Sequence, residues 1–152
     1  MNAFALLAAA APAFAVAEAP ASRRDPVAVA LVAPATVAAG ATFAVAVRLK
    51  TRGGWELAPR AARRPRIPTE LTLTLPDGFA PAGPWRDPPA ARSAKPGGGR
   101  VLPADAAFAR PLTAPTAAGA YDLTCRARYQ ACDDRRCLRP TARTLTVRVR
   151  VR

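Results

Sequence analysis

The 152-residue chain contains no histidine, and that single absence removes several chemistries. Ser-His-Asp and Cys-His nucleophilic catalysis both need an imidazole to take and return a proton, so neither can be assembled here. A zinc site with a histidine ligand is excluded for the same reason, and three cysteines are too few for a four-thiolate site. Aromatic residues make up only 6% of the chain, while 17 prolines and 9 glycines interrupt it, a composition unsuited to a helical bundle. There is no Gly-rich phosphate loop, no pair of carboxylates spaced for acid–base work and no amphipathic basic helix.

Hydrophobic residues reach 51%, enough for the core of one domain, although much of that share is alanine and the core is correspondingly thin. The apolar segments are short, β-branched and bounded by proline or glycine, which predicts an all-β protein. Residues 27–32 form a first strand. In 41–50, Phe43, Val45, Val47 and Leu49 share the buried face, and Trp55, Glu56 and Leu57 begin a short strand after the Gly53-Gly54 turn. Residues 70–75 alternate with Leu71, Leu73 and Leu75 inward, and 101–113 hold one irregular strand. The best-defined strands are 120–130, with Tyr121, Leu123, Cys125, Ala127 and Tyr129 on one face, and 141–152, with Leu145, Val147, Val149 and Val151 inward. Roughly seven strands ending in a hairpin predict an immunoglobulin-like β-sandwich. Cys125 falls among core positions and reads as a small buried hydrophobe.

Residues 1–19 read as an export signal: a short apolar run followed by small-x-small sites at Ala13-Phe14-Ala15 and Ala15-Val16-Ala17. No Lys or Arg precedes the run, so an incorrectly chosen start codon or a non-cleaved segment is the competing reading. The run is too short to span a membrane, and no transmembrane segment is expected in the mature chain. Residues 20–26 read as a linker and 27–152 as the domain. Export places the chain in the periplasm or outside the cell, where disulfides persist.

The formal charge is +13, from 23 Lys and Arg against 10 Asp and Glu, a balance that favours anionic partners. The final strand carries Arg148, Arg150 and Arg152 at alternate positions, a stripe that could follow a phosphate backbone. No aromatic residue interleaves with it, as base stacking would require, so nucleic acid is not expected as a partner. Charges on an outer strand also prevent edge-to-edge pairing, and that plainer role is the expectation.

The chain is organised around residues 129–140, YQACDDRRCLRP, in which Cys132 and Cys137 flank a polar tetrapeptide between two alternating strands. A four-residue turn brings its feet to Cα separations of roughly 4.5–5.5 Å, within reach of a disulfide. The pair is therefore either a fixed staple or a reactive couple. Between 79 and 99 no periodicity is visible, and a structureless loop of that length is more often functional or mobile than structural. Trp85 within it either pins the loop to the sandwich or covers a site.

The chain resembles the N-terminal periplasmic domain of the thiol:disulfide interchange protein DsbD and its relatives, over about residues 27–150. The most specific residues are Tyr129-Gln130-Ala131-Cys132 followed by Cys137-Leu138 and Pro140. Gly54-Trp55, Leu75-Pro76-Asp77-Gly78-Phe79 and the segment from Trp85 to Pro89 add weaker support. The resemblance implies an immunoglobulin-like domain whose Cys132/Cys137 pair cycles between dithiol and disulfide without metal or organic cofactor. It implies that Cys137 forms mixed disulfides with thioredoxin-like partners, that Cys132 resolves them, that Tyr129, Gln130 and Pro140 flank the site, and that the 79–99 loop with Trp85 serves as its cap. The membrane and thioredoxin-like domains of the family are not in this sequence, so a separate membrane electron-transfer protein is the expected source of electrons. The alternative is a binding or structural sandwich with an inert hairpin disulfide.

Overall fold

The computed structural model describes residues 11–152; the first ten residues of the expected export signal lie outside the described residues. Strands numbered along the chain form two main sheets. The first has the spatial order β1 (Phe14–Ala19), β2 (Val27–Pro34), β4 (Thr42–Thr51), β10 (Asp105–Thr113) and β7 (Ala80–Pro81), all antiparallel. The second has the order β3 (Thr36–Val37), β13 (Thr141–Val151), β11 (Gly119–Tyr129) and β6 (Glu70–Thr74). Two small ladders complete the fold, β5 (Glu56–Leu57) with β12 (Ala131–Cys132) and β8 (Ala91–Arg92) with β9 (Arg100–Val101).

The two-residue periodicity decides which side of each strand is buried. Val29, Leu31, Val45, Val47, Leu49, Phe108 and Leu112 of the first sheet pack against Leu123, Cys125, Ala127, Val147, Val149 and Val151 of the second. Phe79 joins this core edge-on to Phe43 and Tyr121, with ring centroids 6.1 and 5.2 Å apart. The expected immunoglobulin-like, all-β sandwich with the cysteine hairpin near its C-terminal end is the observed fold.

Four details differ from the expectation. Residues 105–113 form a regular nine-residue strand paired along its whole length with β4, where an irregular one was expected. Its alternation is muted in the sequence because Ala106 and Ala107 occupy opposite faces. The final strand is flanked on both sides, by β11 and β3, although β3 reaches it only at Arg150 and Val151. The loop over 79–99 is not structureless: it contains β7 and β8, and Arg86 pairs with Ala109 of β10. Phe14–Ala19, the end of the expected signal, pairs with β2 over six residues, so cleavage at either small-x-small site would cut into β1. Residues 20–26 connect these two strands, with Asp25 buried at their end.

Candidate functional site at the disulfide hairpin

The last regular pair of the β11–β13 hairpin is Tyr129 with Thr141, and the eleven residues between them fold back as a smaller hairpin. Leu138 N–H donates to Ala131 O (2.9 Å) and Asp133 N–H to Arg136 O (2.9 Å), which leaves Cys132 and Cys137 directly opposite each other between the two bonds. Such non-hydrogen-bonded pairs bring side chains closest together. The two cysteines are joined in a disulfide with Cα atoms 4.0 Å apart, somewhat closer than the spacing expected from the turn alone.

The Asp133-Asp134-Arg135-Arg136 turn is held by its first residue. Asp133 Oδ1 accepts from Arg135 N–H (2.9 Å) and Arg136 N–H (2.8 Å), the Asx-type turn this residue favours. Those two donors hold the Asp133 carboxyl below the ordinary carboxylate value, with Arg136 and Lys95 adding smaller favourable contributions. Gln130 Nε2 donates to Leu138 O (3.0 Å) and ties the base of the hairpin. Pro140 is exposed just before β13.

Cys132 pairs on its other side with Glu56 of β5, so the disulfide is built into a three-stranded patch with one free edge at Cys137. The two cysteines are consequently inequivalent: Cys137 is exposed and Cys132 half-buried. A cavity of about 640 Å³ opens over them, lined by both cysteines, Gln130, Glu56, Asp133 and the 94–98 loop tip. Ser93 Oγ donates to the Glu56 carboxylate, whose oxygens lie 3.0 and 2.8 Å away. Lys95 Nζ donates to Gly54 O (2.6 Å) and lies 3.3 Å from Asp134 Oδ1. The tip turns tightly enough that a Cβ on Gly98 would meet Ser93 Oγ at 2.4 Å.

Trp85 lies elsewhere. It is half-buried against the core, with the guanidinium carbons of Arg60 and Arg110 5.9 and 5.8 Å from its ring, and it does not line the cysteine cavity. Of the segment expected to cap the pair, only the 94–98 tip approaches it. Tyr129 is fully buried, and its hydroxyl donates to Asp25 Oδ2 (2.6 Å). The same oxygen accepts from Arg143 Nε (3.0 Å) and Nη2 (2.6 Å), and Asp25 Oδ1 accepts from Val27 N–H (3.0 Å). Burial first, and then the Asp25 carboxylate, push the Tyr129 phenol far above its ordinary value. The sequence reading missed Asp25, Arg143, Glu56 and Ser93; for Arg143 there was a signal, since it falls in phase with the inward Leu145, Val147 and Val149. Cys125 sits in the core, its thiol raised from 9.0 to about 11 by burial. Among the described residues no group of three or more His, Cys, Asp or Glu side chains is arranged to hold a metal, and no helix is long and apolar enough to cross a membrane.

Fold and site together define an immunoglobulin-like sandwich that carries a surface-exposed cross-strand disulfide. A solved structure of this kind is the N-terminal periplasmic domain of ScsB from Proteus mirabilis, which superimposes with a TM-score of 0.52 at 12% sequence identity. The match covers 90% of this chain and 51% of that one, so this chain spans about half the length of the solved one. At that identity the likeness is one of fold. No family model matches the chain, and no curated protein matches it.

Proposed function

We propose that this chain is a periplasmic thiol:disulfide exchange domain of the DsbD N-terminal type, relaying electrons through Cys132 and Cys137 to or from thioredoxin-like partners. The observation that carries the reading is the asymmetry of the pair: Cys137 is exposed on the free edge, while Cys132 is held against β5. In the reduced domain the Cys137 thiolate attacks one sulfur of a partner disulfide, and the partner's other sulfur leaves as a thiolate that takes up a proton. Cys132, deprotonated, then attacks Cys137 Sγ; the intermolecular bond breaks, the partner leaves as a dithiol, and the Cys132–Cys137 bond closes. Two electrons pass to the partner, and a partner dithiol drives the same steps in reverse. The residues flanking the site act on the hairpin and not on the sulfurs: Gln130 and Asp133 fix its geometry, and Tyr129 anchors its base.

The rival reading is an inert staple. Closing a ring of about six residues contributes only about 2 kcal/mol in the chain-entropy model, and here the ring spans strands already held by backbone bonds and an Asx turn. A staple at this place adds little, which favours reactivity. The fold shared with a periplasmic domain supports the location, as does the persistence of disulfides in that compartment. Trapping tests the mechanism: Cys132→Ser, mixed with oxidised thioredoxin-like proteins, should accumulate a mixed disulfide through Cys137, and Cys137→Ser should not. A Cys132→Ser protein that accumulates none would overturn the assignment.

A further inference from the structure

On the opposite side of the same hairpin lies a second cavity of about 480 Å³, lined by Arg23, Arg24, Arg52, Arg136, Trp55 and Leu138. It is assembled from three separate parts of the chain. The 22–25 turn presents Arg23 and Arg24 and is closed by Ser22, whose N–H donates to Asp25 O (2.7 Å) and whose Oγ accepts from Asp25 N–H (3.1 Å). Arg52 N–H donates to Pro26 O (2.9 Å), Trp55 N–H to Arg52 O (3.1 Å), and the Arg52 guanidinium to Ser22 O, locking the second part to the first. Arg136 and Leu138 come from the cysteine hairpin itself, on either side of Cys137.

The charge here is one-sided. No carboxylate lines the cleft, and none of its four arginines forms an ion pair, although Arg136 also acts weakly on Asp133; what sets them apart from the other unpaired arginines is that they converge on one cavity. Converging like charges repel, and a carboxylate entering between them, beside Trp55, relieves that repulsion. We propose that this arginine cleft is a docking site for an acidic segment of the exchange partner, which seats the partner beside Cys137. The inference rests on the exchange reading for its partner, but not for its test. The small volume and the presence of a single indole favour a few carboxylate side chains over a nucleic-acid strand.

The test separates binding from chemistry. The oxidised protein is titrated calorimetrically at low salt with a short cysteine-free Asp/Glu peptide and with its Asn/Gln counterpart. The acidic peptide should bind about tenfold more tightly and lose that advantage as salt rises. The double variant R23Q/R24Q should weaken it about fivefold, because both side chains lie in the cleft and make no other side-chain hydrogen bond among the described residues. The control R150Q/R152Q removes the same charge at the other end of β13, about 30 Å away, and should leave binding unchanged. Equal binding of the two peptides, or equal losses in the two double variants, would overturn the proposal, the second by showing attraction to net charge alone. In a second arm the same peptides, each extended by a cysteine held as a pyridyl disulfide, react with the reduced protein. The acidic one should react faster in the wild type and lose that lead in R23Q/R24Q. Cleft-specific binding without any exchange would leave the docking site standing and the redox reading refuted; equal exchange of both peptides without cleft binding would do the reverse.

Discussion

Replacing Asp25 with alanine should cost about 3 kcal/mol of stability, although it lies 107 residues before Cys132 in the chain and in a segment whose sequence reads as a linker. The magnitude follows from its contacts. Asp25 is 4% exposed and accepts four hydrogen bonds, from Val27, Tyr129 and twice from Arg143. Removing the carboxylate leaves the buried Tyr129 hydroxyl without its partner, a loss of about 1–3 kcal/mol. A fully buried ion pair broken on one side costs about 3–5 kcal/mol, but the Arg143 side chain is 36% exposed and regains water, so its share is about 1–2 kcal/mol. With an m-value of about 2 kcal/mol/M, the urea midpoint, read from the fluorescence of Trp55 and Trp85, should fall by about 1.5 M. Tyr129→Phe should cost about 1 kcal/mol, and the Asp25→Ala/Tyr129→Phe double variant should lose less than the sum of the single losses by about 1 kcal/mol. A loss below about 1 kcal/mol for Asp25→Ala, or strict additivity in the cycle, would show that this network does not anchor the hairpin.

Other consequences are equally direct. Trp85→Ala should destabilise the domain by about 2 kcal/mol, since the ring is half-buried, yet leave the Cys132/Cys137 reduction potential unchanged; a shifted potential would restore Trp85 to the site. Gly98→Ala drives a methyl into Ser93, overpacking the loop tip by about 1–3 kcal/mol, so reduction of the disulfide by a phosphine should accelerate at least about fivefold; an unchanged rate would mean that the tip does not shield Cys132. Cys125 should resist alkylation in the native protein and react as a single thiol in denaturant. Its raised folded value makes its contribution to stability complete below the ordinary value of 9.0 and progressively lost as pH rises from there through about 11, which urea midpoints of the wild type and Cys125→Ala across that range should resolve.

The strands that the sequence reveals are those whose faces differ most. In β11 and β13 mostly large apolar residues alternate with Thr, Asp or Arg, and in β4 Phe43, Val45, Val47 and Leu49 alternate with Thr, Ala, Arg or Lys; the observed burial follows that phase nearly residue by residue. The β10 strand reads as irregular in the sequence because alanine serves on both its faces and Pro111 lies within it. Its position beside β4 is fixed by the Phe108–Val47 and Leu112–Phe43 pairs, partners more than sixty residues apart. The cysteine pair was legible from a local turn, but its asymmetry was not. That depends on β5 meeting β12, a two-residue ladder joining positions about seventy-five apart, for which no local pattern exists. The arginine cleft is likewise a product of the tertiary fold: Arg23, Arg52 and Arg136 look like scattered surface charge until the turns that carry them meet.

The reduction potential of the Cys132/Cys137 pair tests the central claim most directly. Equilibrated in glutathione buffers and read by alkylation and mass, it should fall between about −180 and −270 mV, the range of proteins that exchange disulfides with partners. A value below about −300 mV would identify a structural disulfide and contradict the account.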